Sequence, residues 1–133
     1  MNYLLDTHTF IWSFMSPGKL PKKVFSIISD ANNTIFVSPI TFWEIALKHQ
    51  LGKINLVNIN IFHLPNIASE YDFSILPIDA YDYITFHSLP RKEGHQDPFD
   101  QMLVHSALRK NLILISGDKS FKQYETEGLQ LMW

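Results

Sequence analysis

The chain has 133 residues, 46% apolar and 18% charged, a balance that fits one globular unit over 1–133 and excludes a disordered polar chain. Its 11 basic and 13 acidic residues leave a net charge of −2, so it lacks the basic footprint of a passive nucleic-acid coat. There is no cysteine, which excludes a disulfide framework and a thiolate metal site, and no apolar run approaches the ~20 residues of a membrane span.

The opening MNYLLDTHTF has no basic n-region and carries an acid at position 6, unlike a signal peptide, so a cytoplasmic address is the expectation. Residues 3–5 (YLL) read as a first buried strand, followed by a helix through Phe10, Ile11 and Phe14. Over 21–31, Pro21 opens a helix with Val24, Ile27 and Ile28 at helical spacing. A second strand, TIFVS at 34–38, leads into PITFWEIALKHQLG, where Ile40, Trp43, Ala46 and Leu47 share a face and Gly52 closes the end.

The stretch 55–66 carries the weakest pattern, with Pro65 interrupting a helix that runs towards Tyr71. FSILPI (73–78) reads as a third strand and DAYDYITFHSL (79–89) as a helix capped by Asp79. A polar loop, PRKEGHQ (90–96), precedes a helix from Asp97 to Lys110 and a strand, LILIS (112–116). A short helical turn near SFKQY and a final strand, LQLMW, end the sequence. Strands alternating with helices imply right-handed crossovers, hence a three-layer α/β/α sandwich with a mainly parallel sheet.

On that map the acids converge. Asp6 ends the first strand, Glu44 lies one turn into the helix after the second, Asp100 sits in the first turn of the long helix, and Asp118 follows LILISG. In a parallel sheet, strand C-termini and helix N-termini share one edge, where ligand sites form. Two carboxylates ~5 Å apart repel by roughly 3 kcal/mol at an effective dielectric of about 20. Three or four together protonate, splay or take up a cation, and an all-oxygen set suits Mg²⁺ or Mn²⁺. Metal-assisted phosphodiester hydrolysis is the chemistry such an edge supports.

Each acid also has a structural explanation. Asp6 and Asp118 suit helix caps or turns, Glu44 an exposed helical position, and Asp97 before Pro98 an N-cap worth roughly 1 kcal/mol. It is their joint placement that separates a site from a set of caps. Thr7 and Ser116 stand next to these acids as candidate donors that orient carboxylates or water. The six histidines (8, 49, 63, 87, 95 and 105) form no HxxxH pair, which argues against a zinc site, although His95 lies near the acidic edge. Arg91 and Lys92 either hold phosphates or belong to a solvated loop, and Trp12, Trp43 and Trp133 read as core or interface residues.

LLDTHTFIW, VSPITFWEIALKHQLGKI, LP…HQDPFDQMLVHSAL and LILISGDKSFKQY together resemble the PIN-domain ribonucleases of the VapC toxin family, over essentially the whole chain and in the same order. The resemblance implies a compact α/β/α domain, Mg²⁺- or Mn²⁺-dependent endoribonuclease activity, a cognate antitoxin and a homodimer. Carried over by position, the family's acids fall on Asp6, Glu44, Asp100 and Asp118. The 18-residue interval to Asp118 favours Asp100 over Asp97 as the third acid, leaving Asp97 in support. One departure stands out: the family often has arginine after DPFD, and this chain has Gln101.

Two rivals remain at this stage. YLLDTHT and LISGD imitate the motifs of a haloacid-dehalogenase-like phosphatase, in which Asp6 would attack phosphate, but position 8, where that chemistry wants a second acid, is histidine. The other rival is a PIN-like module that binds RNA or a partner without cutting.

Overall fold

The computed structural model describes residues 1–133. Five parallel strands form one sheet in the order β3-β2-β1-β4-β5, with β1 at Asn2–Leu5, β2 at Thr34–Val37, β3 at Ser74–Ile75, β4 at Ile113–Ile115 and β5 at Gln130–Met132. The central strand pairs Leu5 with Val37 on one side and with Ile115 on the other, so these three chains end together at one edge.

Alternation along β1 assigns its side chains to two cores. Tyr3 and Leu5 join Phe10, Val24, Ile35, Val37 and Ile45 on one face, whereas Leu4 joins Met102, Leu103, Leu114, Phe121 and Tyr124 on the other. Leu4 and Leu5 are fully buried, and each such side chain contributes roughly 1.5–3 kcal/mol of hydrophobic stabilisation. Helices α1 (Thr7–Met15), α2 (Lys22–Ser29) and α4 (Leu64–Glu70) cover the first face, and α6 (Pro98–Lys110) packs on the second. Helix α3 (Pro39–Gln50) contributes Ile45 to one core and Ile40 to the other. The expected α/β/α layering with a parallel sheet is what the structure has.

Local differences from the sequence reading have physical reasons. The third strand shortens to two residues: Leu76 N–H still reaches the Val37 carbonyl at 2.9 Å, but Pro77 has no N–H with which to continue. Pro65 does not interrupt a helix; it sits in the first turn of α4, where a missing N–H costs nothing. The 79–89 segment divides into α5 (Ala80–Ile84) and a 3₁₀ turn at Thr85–Ser88, with Asp79 as cap in a reciprocal box with Asp82. The turn near SFKQY is a longer 3₁₀ segment, Lys119–Glu127.

The buried face of α3 is rotated from the expected one. Ile40, Thr41, Glu44 and Ile45 face inward, Ala46 is exposed, Leu47 is half-buried, and Trp43 is 60% exposed against Phe99, with ring centroids 5.1 Å apart. No helix is long and apolar enough to cross a membrane.

Candidate active site

Chain direction accounts for the first acid. Asp6 follows β1, its N–H donates to the Ile115 carbonyl at 3.1 Å, and its Oδ1 caps α1 by accepting the Thr9 N–H at 2.8 Å. Its Oδ2 accepts the Ser116 hydroxyl. Asp6 is only 5% exposed, and this burial raises its carboxyl pKa against the opposing pull of Ser116, Thr9 and His8.

Glu44 is 3% exposed, an unusual depth for a helical acid, and its oxygens are both engaged. Oε1 accepts the Thr7 hydroxyl at 2.5 Å, and Oε2 meets Lys48 Nζ at 2.6 Å, one turn further along α3. Burial works against the Lys48 charge. Glu44, Asp97 and Asp100 outweigh that effect and hold its pKa above the ordinary value.

Helix α6 delivers the next pair. Asp97 is its N-cap, with Oδ1 accepting the N–H groups of Phe99 at 2.9 Å and Asp100 at 3.3 Å. Asp100, in the first turn, is pushed up to about 7, first by burial and then by the charges of Asp97, Glu44, Asp6 and Asp118. That carboxyl therefore lies within electrostatic reach of all four other acids.

Asp118 caps the 3₁₀ segment, accepting the Ser120 N–H at 2.9 Å, while its own N–H donates to Ser116 Oγ at 3.0 Å. Burial tends to raise its pKa, but Ser120, His95 and His8 prevail and lower it. Between Ser116 and Asp118, Gly117 is required by a close approach: a Cβ there would stand 2.6 Å from the Trp133 indole.

The structure thus brings Asp6, Glu44, Asp97, Asp100 and Asp118 to one edge, with Thr7 and Ser116 donating to the first two. No group of three Asp, Glu or His side chains is placed so as to hold an ion outright. Ser116 links Asp6 to Asp118, and Thr7 with Lys48 satisfies Glu44. Asp97, Glu44 and Asp6 nonetheless crowd Asp100, and a set of carboxylate oxygens with little positive charge of its own fits a hard divalent cation.

Two residues here were not singled out by the sequence reading. Lys48 went unnoticed, although its i+4 spacing from Glu44 was a usable signal. Tyr124 was also missed; it is fully buried, with its hydroxyl on His95 Nδ1 at 2.8 Å. His95, in a loop of polar composition, is itself only 4% exposed. Lys92 is paired with Glu127 at 2.6 Å.

Comparison with known proteins bears on the family and the fold. No curated protein sequence matches the chain. Among solved structures, it superimposes on a chain of VapBC2 from Rickettsia felis, bound to a DNA fragment from the promoter, with a TM-score of 0.72, 20% identity, and coverage of 99% of this chain and 98% of that one. A chain of VapBC-1 from nontypeable Haemophilus influenzae gives a TM-score of 0.69 at 22% identity over 99% and 97% of the two chains. DNA-bound VapBC from Salmonella typhimurium gives 0.65 at 17% identity over 99% and 97%. At these identities the likeness concerns the fold. The model of the PIN domain matches residues 3–127, and the chain therefore belongs to the PIN-domain family.

Proposed function

We propose that this chain is a divalent-cation-dependent endoribonuclease and the toxin of a VapBC-type pair. The observation that carries this reading is the placement of Asp6, Glu44, Asp100 and Asp118 at the carboxyl edge of a parallel sheet, where the charges of the others, after burial, help raise the Asp100 carboxyl. Membership of the PIN family and the likeness to VapBC chains support it.

Asp6, Glu44, Asp100 and Asp118 would hold Mg²⁺ or Mn²⁺, which supplies charge neutralisation at the scissile phosphodiester and a more acidic water. Ser116 and Thr7 keep Asp6 and Glu44 oriented, so that few rotamers remain to be lost when the pocket is loaded. Asp97 holds the first turn of α6, and with it the Asp100 backbone. Lys48 neutralises Glu44 and is half-exposed, free to turn towards a phosphate.

The partner in this proposal is a cognate antitoxin that places a basic side chain in the acidic pocket. A homodimer belongs to the same reading, with exposed Trp43, Tyr83 and Ile84 available to an interface. Asp6 does not suit a phosphatase nucleophile, because the position two residues on, where that chemistry needs a second acid, is His8.

A non-catalytic PIN-like module is the second reading, favoured by the Lys48–Glu44 pair that satisfies one acid without a cation. Cleavage assays separate the two. Purified protein with Mn²⁺ or Mg²⁺ should cut RNA at discrete places, stop on addition of EDTA, and lose activity by about 10²-fold or more as Asp100→Asn. Well-folded protein that cuts no RNA with either cation would favour the non-catalytic module.

A further inference from the structure

Within the acidic edge, one buried polar atom has no partner: Nε2 of His95. It stands 3.8 Å from Oδ2 of Asp100, pointing into the cluster of acids but short of hydrogen-bond contact. Native proteins rarely leave a buried ring nitrogen orphaned without a reason. The ring itself is fixed on every other side. Its Nδ1 is 2.8 Å from the Tyr124 hydroxyl, and its faces and edges meet Phe121 and Tyr124, with centroids 5.5 and 5.2 Å away.

The loop carrying His95 is also pinned. Its N–H bonds the Lys92 carbonyl at 3.3 Å, and its carbonyl accepts from Gln101 Nε2 at 2.8 Å. The Gln101 side chain also acts on the Tyr124 hydroxyl, opposing the rise that burial gives its pKa. With the Tyr124 hydroxyl donating across this 2.8 Å contact, His95 Nδ1 is the acceptor. In the neutral ring the imidazole proton then sits on Nε2, facing Asp100.

We propose that Gln101, Tyr124 and His95 form a brace in which His95 Nε2–H is the positioning donor that fixes the orientation of the Asp100 carboxylate. This rests on the nuclease reading for what Asp100 does, but not for the brace itself. Swinging the carboxylate by under about 1 Å closes the 3.8 Å gap to a normal N–H···O distance. One Asp100 oxygen is then held by the protein, and the other is presented to the pocket. Gln101 serves here as a neutral donor that holds the His95 carbonyl, at the position where an arginine would add charge instead.

Two substitutions separate the donor from mere bulk. In His95→Gln the amide nitrogen falls near the place of Nε2, whereas in His95→Asn it falls near Nδ1 and the donor towards Asp100 is gone. Two-bond ¹⁵N–¹H correlation spectra of the parent should show His95 as the Nε2–H tautomer, and Tyr124→Phe should erode that preference. Mn²⁺ binding to the folded, metal-free protein should weaken by about tenfold or more in His95→Asn and change by less than about threefold in His95→Gln. An Nδ1–H tautomer in the parent would overturn the brace. So would equal Mn²⁺ affinities for parent and His95→Asn, or equal losses in both variants at unchanged melting temperature. Parent protein with the Nε2–H tautomer and donor-dependent Mn²⁺ binding, but no RNA cleavage, would overturn the nuclease reading and leave the brace standing.

Discussion

The Ser116 hydroxyl donates to Oδ2 of Asp6 from 110 positions further along the chain, and its oxygen accepts the Asp118 N–H at 3.0 Å. One small side chain therefore couples the acid that ends β1 to the acid beyond β4. Removing it strands a buried carboxylate oxygen, which costs roughly 1–3 kcal/mol. Ser116→Ala should lower stability by about that amount, raise the Asp6 pKa further and reduce RNA cleavage by roughly tenfold or more. Thermal melts and cleavage rates on the same preparation measure both effects.

Asp100 gives a pH signature. Its carboxyl is raised from 3.8 to about 7 in the folded protein, so between these values the folded state binds more protons than the unfolded one. Its contribution favours folding fully below pH 3.8 and is lost as pH rises through 7. Metal-free Asp100→Asn should therefore melt above the parent at pH 8, with the difference shrinking as pH falls. Added Mn²⁺ should raise the parent's melting temperature and leave that of the variant nearly unchanged. A parent that melts higher than the variant at pH 8 without metal would contradict the assignment.

Asp82 offers a control away from the pocket. It completes the cap of α5 with Asp79 and meets Arg109 at 2.8 Å and Lys110 at 3.2 Å. The Asp79 backbone bond comes first among the causes that hold its carboxyl well below the ordinary range, with Arg109 and Lys110 adding to it against the effect of burial. The stability it contributes is present above the unfolded carboxylate pKa and lost as pH falls through the lowered one. Asp82→Ala should destabilise by about 1–2 kcal/mol while Mn²⁺ affinity stays at the parental value. Calorimetry reads both.

Much of the acidic edge was legible in the sequence because it depends on punctuation: Asp6 follows a strand, and Asp97, Asp100 and Asp118 stand where helices open. The inward face of α3 was not. Apolar periodicity placed Trp43 inside and left Glu44 open to an exposed reading, and the structure has Trp43 outside and Glu44 buried, because the Thr7 hydroxyl and Lys48 satisfy both carboxylate oxygens. Those partners come from another helix and from the next turn, and hydrophobic patterning does not record them. The same holds for His95. PRKEGHQ is polar in composition, yet the ring is buried through Tyr124, which lies 29 positions away. Pro65 misled for a different reason, since proline ends a helix interior but opens a first turn with equal ease.

Gly117 tests how closely the pocket is packed. Its missing Cβ leaves room for Trp133, whose Cε2 would lie 2.6 Å from an added methyl. Gly117→Ala should cost roughly 1–3 kcal/mol and displace the adjoining Asp118, reducing cleavage. Combining it with Trp133→Ala should recover part of both losses, a coupling that a double-mutant cycle detects. Additive losses would mean that the indole does not set the position of Asp118.

In the proposed nuclease, Asp6, Glu44, Asp100 and Asp118 share a divalent cation. An anomalous-difference map from crystals soaked in Mn²⁺ tests it most directly. A peak should stand at the carboxyl edge of the sheet, at about 2.0–2.3 Å from oxygens of at least two of these acids, with Lys48 turned away from Glu44. A map with no peak there, at a Mn²⁺ concentration that supports RNA cleavage, would contradict it.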